Sequence, residues 1–125
     1  MTVVAVRRYA ELMRVRVLRY LFAALGFGLP ATVWAMAGAL SGMDVRIVAP
    51  RELWNAPAVV SAARSIAAET GARLTQTDVV AEGVAGVDFV YTDVWVSMGE
   101  PDAIWEERIA LLRDYQVNAD LIAAT

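Results

Sequence analysis

Cysteine, histidine and lysine are all missing from the 125 residues of this chain. Without cysteine there is no disulfide framework, no thiolate nucleophile and no thiolate metal site. Without histidine, the usual general base near neutral pH and the commonest metal ligand are gone. Any chemistry must rest on carboxylates, hydroxyls, arginines and backbone groups. The length allows one domain with one modest core, not a two-domain enzyme. What is abundant is apolar surface: 58% of residues are hydrophobic and the mean hydropathy is +0.48, high for a soluble domain.

The net charge of -3 is unevenly spread. Arg7, Arg8, Arg14, Arg16 and Arg19 crowd the front against Glu11, whereas carboxylates outnumber arginines in the remainder. Such a basic front is compatible with a membrane or nucleic-acid contact, or with two segments of different origin. From Tyr20 to Met43 no residue is charged. That run is long enough to cross a bilayer, with arginines placed before it as the positive-inside rule asks. A signal peptide fits less well, because no clear cleavage site follows the run. The competing reading is a buried helix of an α/β domain, broken near Pro30.

After Gly42 the pattern alternates. Val45–Ala49 is a short β-branched run stopped by Pro50, which predicts a strand. Pro57–Thr70 carries Val59, Val60, Ala63, Ile66 and Ala67 at helical spacing, with Gly71 as a stop. Arg73–Thr77 reads as a second strand, Val79–Ala85 as a short helix, and Val87–Tyr91 as a third strand apolar enough for a buried parallel sheet. Asp102–Arg113 is an amphipathic helix with Ile104, Ile109, Leu111 and Leu112 inward, and a last helix starts at Asn118 as its cap. This order predicts an α/β fold, a parallel sheet with helices on both faces.

Ligands of open parallel sheets bind beyond the carboxyl ends of the strands. The loop after the third strand, Thr92-Asp93-Val94-Trp95-Val96-Ser97-Met98-Gly99-Glu100-Pro101, is therefore the candidate site. Asp93 offers a carboxylate to an ammonium group, Ser97 a hydroxyl, and Gly99 the freedom of a closing loop. Each also has a bland account: Asp93 as a turn former, Ser97 as a local cap, Trp95 and Met98 as core filling.

The stretch Asp93–Glu100 resembles the loop of ornithine carbamoyltransferases that closes over ornithine. Gly42–Pro50, Glu69–Ala72, Gly86–Thr92 and Tyr115–Asn118 resemble further segments of that family in the same order and spacing, so that the likeness runs from about Ala37 to Thr125. The resemblance implies a Rossmann-like half of a carbamoyltransferase, incomplete, with residues 37–125 as a partial ornithine-binding domain and residues 1–36 unmatched. It implies L-ornithine as ligand, held by Asp93, Ser97 and Met98, with no catalytic residue, cofactor, metal or nucleic-acid partner in this chain. The intact reaction moves a carbamoyl group from carbamoyl phosphate to the δ-amine of ornithine, giving citrulline and phosphate, within arginine metabolism. Cytoplasmic residence is implied as well.

The likeness also shows gaps. The family's Ser-Thr-Arg-Thr segment, which binds carbamoyl phosphate at a helix start, does not occur here, and neither do its His-Pro-x-Gln and His-Cys-Leu-Pro elements. Where the family has a Gly-Asp strand end and an asparagine pair, this chain has Ala24–Pro30. Codons for Ala31–Trp34 read one base earlier can encode Gly-Asn-Ser-Leu, so the front segment is consistent with a displaced reading frame. Carbamoyl phosphate is therefore expected to bind only in the intact enzyme, and the isolated chain to be inactive. Trimers of the family form largely through the domain absent here, so no oligomeric state carries over. The second reading is a small membrane-anchored α/β binding or interaction protein, with residues 17–40 at the membrane.

Overall fold

The computed structural model describes residues 3–7, 30–96 and 101–125. Four strands form one sheet: β1 (Val3–Arg7), β2 (Asp44–Val48), β3 (Arg73–Thr77) and β4 (Phe89–Tyr91). Its order is β3-β2-β1-β4. The helices are α1 (Pro30–Leu40), α2 (Pro57–Thr70), α3 (Val80–Val84), α4 (Ile104–Leu112) and α5 (Ala119–Ala123), with single 3-10 turns at Arg51–Leu53 and Arg113–Tyr115.

The α/β class holds, and helices cover both faces of the sheet. The expected strands β2, β3 and β4 share one direction: β2 and β3 pair in parallel, and β1 runs antiparallel to both β2 and β4. The sheet is therefore mixed rather than wholly parallel. The difference comes from β1, which the sequence reading did not assign. Its Val3, Val4 and Val6 favour extended backbone. Val3 and Val4 point to opposite faces and are both fully buried, one in each core.

On one face, Val4, Val45 and Ile47 pack against Trp34, Ala35 and Ala39 of α1, Met43, and Ala63 and Ala67 of α2. On the other, Val3 and Val48 pack against Val84, Tyr115 and Leu121. Two helices approach β2 too closely for a side chain between them. A Cβ on Gly38 of α1 would stand 2.1 Å from Val45 Cγ2, and one on Gly83 of α3 would stand 2.2 Å from Val48 Cγ2. Val45 and Val48 face opposite ways, so the strand is gripped from both sides.

Local punctuation sets the element ends. Pro30 stands at the first position of α1, where proline's missing N–H costs no hydrogen bond, and the part of the expected helix before it lies outside the described residues. Pro57 opens α2, and Gly71, with φ of 78°, closes it by donating its N–H to the Ala67 carbonyl. The hydroxyl of Thr70 then donates to the Ala39 carbonyl at 2.6 Å, tying the ends of α2 and α1 together. Asn118 caps α5 as expected, its Oδ1 accepting from Leu121 N–H at 2.9 Å.

Two burial expectations need correction. The third predicted strand is an edge strand, with Phe89 67% exposed, because only β1 pairs with it among the described residues. In α4, Leu112 is buried and Ile104 and Leu111 half-buried, but Ile109 faces solvent together with Trp105. The helix leans on the body through its C-terminal end rather than along its length. As for the membrane expectation over residues 17–40, residues 17–29 lie outside the described residues. Among those described, no helix is long and apolar enough to cross a membrane.

Candidate functional site

The carboxyl ends of β2, β3 and β4 all open on one edge of the sheet, where α1 begins. Three sets of contacts knit this edge. At the end of β2, the Ala49 N–H donates to the Thr77 carbonyl of β3 at 3.1 Å, and the Ala49 carbonyl accepts from Trp54 Nε1 at 2.9 Å. The Trp54 ring is thereby fixed under the Arg51 guanidinium, which sits 5.3 Å from its centroid. Asn55 Nδ2 donates to the Ala31 carbonyl at 3.2 Å, which holds the same loop against the first turn of α1.

Arg51 also reaches β3. Its Nε donates to Asp78 Oδ2 at 2.6 Å. That hydrogen bond, reinforced by the guanidinium charge, holds the Asp78 carboxyl below the usual carboxylate range and raises Arg51 in turn. The Asp78 carbonyl accepts from Tyr115 Oη at 3.0 Å, so the turn after α4 is anchored to the same strand end. Burial, and then the neighbouring carboxylates Asp78, Asp114 and Glu52, push the Tyr115 phenol above its ordinary value.

At the end of β4, the Tyr91 ring meets Trp34 of α1 with centroids 5.0 Å apart and planes inclined by 50°. Two residues on, Asp93 is half-buried, and its Oδ1 accepts from the Val94 N–H at 2.8 Å. That bond turns the chain out of the strand and leaves the carboxylate acceptor capacity for a cationic group. Desolvation chiefly, and the Asp93 charge secondarily, raise the Tyr91 phenol. Tyr91 is thus a neutral wall beside the carboxylate throughout the physiological range.

Of the three residues expected to hold ligand, the structure places Asp93 at the strand end, as the strand-end rule requires. Ser97 and Met98 lie outside the described residues, as do Gly99 and Glu100. Val96, just before them, is buried. Sequence reasoning missed Trp34, Tyr91, Trp54, Asn55 and the Arg51–Asp78 pair, which frame the edge. The available signal was the position of Arg51, Trp54 and Asn55 just past a strand end. Among the described residues, no three acidic side chains gather to hold a metal ion.

In open α/β sheets ligands bind beyond the carboxyl ends of the strands, and that is the edge on which Asp93, Tyr91 and Trp34 lie here. The family described as aspartate/ornithine carbamoyltransferase, Asp/Orn binding domain, matches residues 31–125. This chain belongs to that family. It is similar to the ornithine carbamoyltransferase of Neisseria animalis, 54% identical over 90 residues, or 72% of this chain and 39% of that protein. The ornithine carbamoyltransferase of Neisseria perflava is 54% identical over 88 residues, covering 70% of this chain and 38% of the relative. That of Neisseria meningitidis is likewise 54% identical over 88 residues, covering 70% and 34%. The chain thus spans little more than a third of the length of the curated relatives it matches. The strand β1 lies outside the matched residues.

Proposed function

We propose that this chain is the ornithine-binding portion of an ornithine carbamoyltransferase, with residues 37–125 carrying the groups that meet the ligand and the segment before them contributing packing: β1 to the sheet and Trp34 to the wall beside Tyr91. The supporting observation is the half-buried Asp93 carboxylate at the carboxyl end of β4, in a chain 54% identical to named ornithine carbamoyltransferases. Asp93 accepts from an ammonium group of L-ornithine, Ser97 adds a hydroxyl contact, and Met98 packs against the alkyl chain.

Carbamoyl transfer needs two things at once: a polarised carbonyl on carbamoyl phosphate, and the δ-amine of ornithine within attack distance. This chain supplies a surface for the amine-bearing substrate. It carries no counterpart of the family's phosphate-binding segment, so the carbonyl would have neither anchor nor electrophilic partner here. Carbamoyl phosphate therefore belongs to the intact enzyme, whose product would be citrulline. The isolated chain binds ornithine weakly and turns nothing over. Its place is the cytoplasm.

Titration calorimetry of the full chain with L-ornithine tests the binding. The wild type should release heat that Asp93→Ala lacks, with both proteins showing the same circular dichroism. Equal heats from the two proteins would remove Asp93 from the site. A purified chain that forms citrulline above background would overturn the inactivity.

A further inference from the structure

We propose that Tyr91 is a specificity-determining residue of the ornithine site, and that its ring, backed by Trp34, is the wall on which the alkyl stem of the ligand lies. The inference rests on the ornithine reading above and adds to it the group that senses the stem.

The alternation of β4 carries on past its last paired residue. Tyr91 and Asp93 are half-buried, whereas Thr92 and Val94 are exposed. Successive residues of extended chain face opposite ways, so Tyr91 and Asp93 look to the same side of the sheet. That side is the one covered by α1, because Tyr91 packs against the core of Trp34, Val4 and Val45. Val90 points the other way, into the core around Val3 and Val48. Phe89 shares the side of Tyr91 but is exposed, so the cover that α1 gives β4 is confined to its carboxyl end.

The ring is held from two directions. Its backbone pairs with Val4 in the ladder to β1, and its centroid lies 5.0 Å from that of Trp34. Trp34 is itself only 8% exposed, so the backing cannot swing away. What stays uncovered of Tyr91 therefore borders the crevice that Asp93 enters. The phenol registers both neighbours: desolvation chiefly, and then the Asp93 charge, raise it, which keeps the ring neutral. Same-side residues of extended chain stand about 7 Å apart, a length comparable to the stem of ornithine. An ammonium group held by Asp93 thus lays its methylenes along the ring. A ligand without a stem would gain nothing from Tyr91.

Titration calorimetry of the full chain with L-ornithine and with L-diaminobutyrate, one methylene shorter, tests the wall. Wild type should bind ornithine about four-fold more tightly, the gain from one buried methylene. Tyr91→Phe, which keeps the ring, should retain this preference, and Tyr91→Ala should bring the ratio close to unity. A ratio taken within one protein is unmoved by a smaller folded fraction, so a merely structural role for Tyr91 would leave it at the wild-type value. Should Tyr91→Ala not fold, the wild type decides. Nuclear Overhauser contacts should join the methylene protons of bound ornithine to a tyrosine ring whose signals vanish in Tyr91→Phe. Absence of those contacts, a wild-type ratio near unity, or a ratio unchanged in Tyr91→Ala would each overturn the wall while leaving Asp93 as the ammonium acceptor. A wild type that gives no heat with ornithine would remove both.

Discussion

Arg46 of β2 donates from Nη1 to the carbonyl of Ala85 at 3.0 Å, so that a strand side chain caps the end of a helix on the sheet's far side. The same nitrogen lies 3.3 Å from the carbonyls of Glu82 and Gly83. These are the last carbonyls of α3, which have no partner within so short a helix. Positive charge at a helix C-terminus is favourable in its own right. Nη2 meets Asp44 Oδ2 at 3.4 Å, and both side chains are largely buried. The arrangement explains how a helix spanning only Val80–Val84 holds its place against β2.

Removing the guanidinium should therefore cost more than a surface charge would. Arg46→Ala is expected to lower stability by about 1.5–3 kcal/mol, the range for hydrogen bonds to a charged group. Asp44, whose Oδ1 is already buried with no hydrogen-bond partner among the described residues, would lose Arg46 too. Arg46→Lys should recover less than half of the loss, since an ammonium cannot fork to separate carbonyls. Urea unfolding midpoints decide the matter; an Arg46→Ala midpoint equal to wild type would dismiss the cap.

Gly38 and Gly83 give a prediction of opposite sign to helix propensity. Glycine to alanine within an exposed helix normally gains about 1 kcal/mol. Here the added methyl would collide with Val45 or Val48, and overpacking of this kind costs about 1–3 kcal/mol. Both alanine variants should unfold at lower temperature than wild type. Pairing Gly83→Ala with Val48→Ala should restore part of the difference, because the clash is with that side chain.

Below pH 4, the contribution of the Arg51–Asp78 pair should begin to be lost. The folded-state pKa of Asp78 is depressed below its ordinary 3.8, so its contribution is present above that value and is lost as pH falls through the folded one. Both groups lie near solvent, so the effect is small and screened by salt. Asp78→Asn should show a shallower loss of melting temperature between pH 4 and pH 2 than wild type at low ionic strength. Superimposable acid limbs would mean that the pair adds nothing.

The alkaline side works in the other direction. Tyr91 and Tyr115 are raised above 10.0 in the fold, so their contribution is intact below that value and lost as pH rises through the folded values. Tyr91→Phe keeps the ring against Trp34 and removes the ionising hydroxyl. Its melting temperature should fall less steeply than that of wild type above pH 10. A parallel decline in both proteins would assign the alkaline instability elsewhere.

Much of the sheet was legible because its punctuation is local. Pro57 and Gly71 bound α2, and Arg73–Thr77 is a strand at the limits read from its residues. The position of Asp93 just past β4 was legible because the apolar run before it marks the strand. What escaped was set by partners far away in sequence. The short run of β1 carries an ordinary strand signal, but only the pairing of Val4 with Ile47 and Tyr91 makes it central. Periodicity put Ile109 in the core by its place on a helix face, yet among the described residues the fully buried side chain of that helix is Leu112 at its end. The Trp34–Tyr91 contact and the Arg51–Asp78 pair likewise join segments that no local pattern links.

The position of β1 also fixes a timetable. β1, an interior strand of the sheet, leaves the ribosome well before its partner on the far side, Phe89–Tyr91. At about 5–20 residues per second, roughly 4 to 16 s separate the two. Until β4 emerges, β1 can pair only with β2, and the flank that β4 will cover stays open.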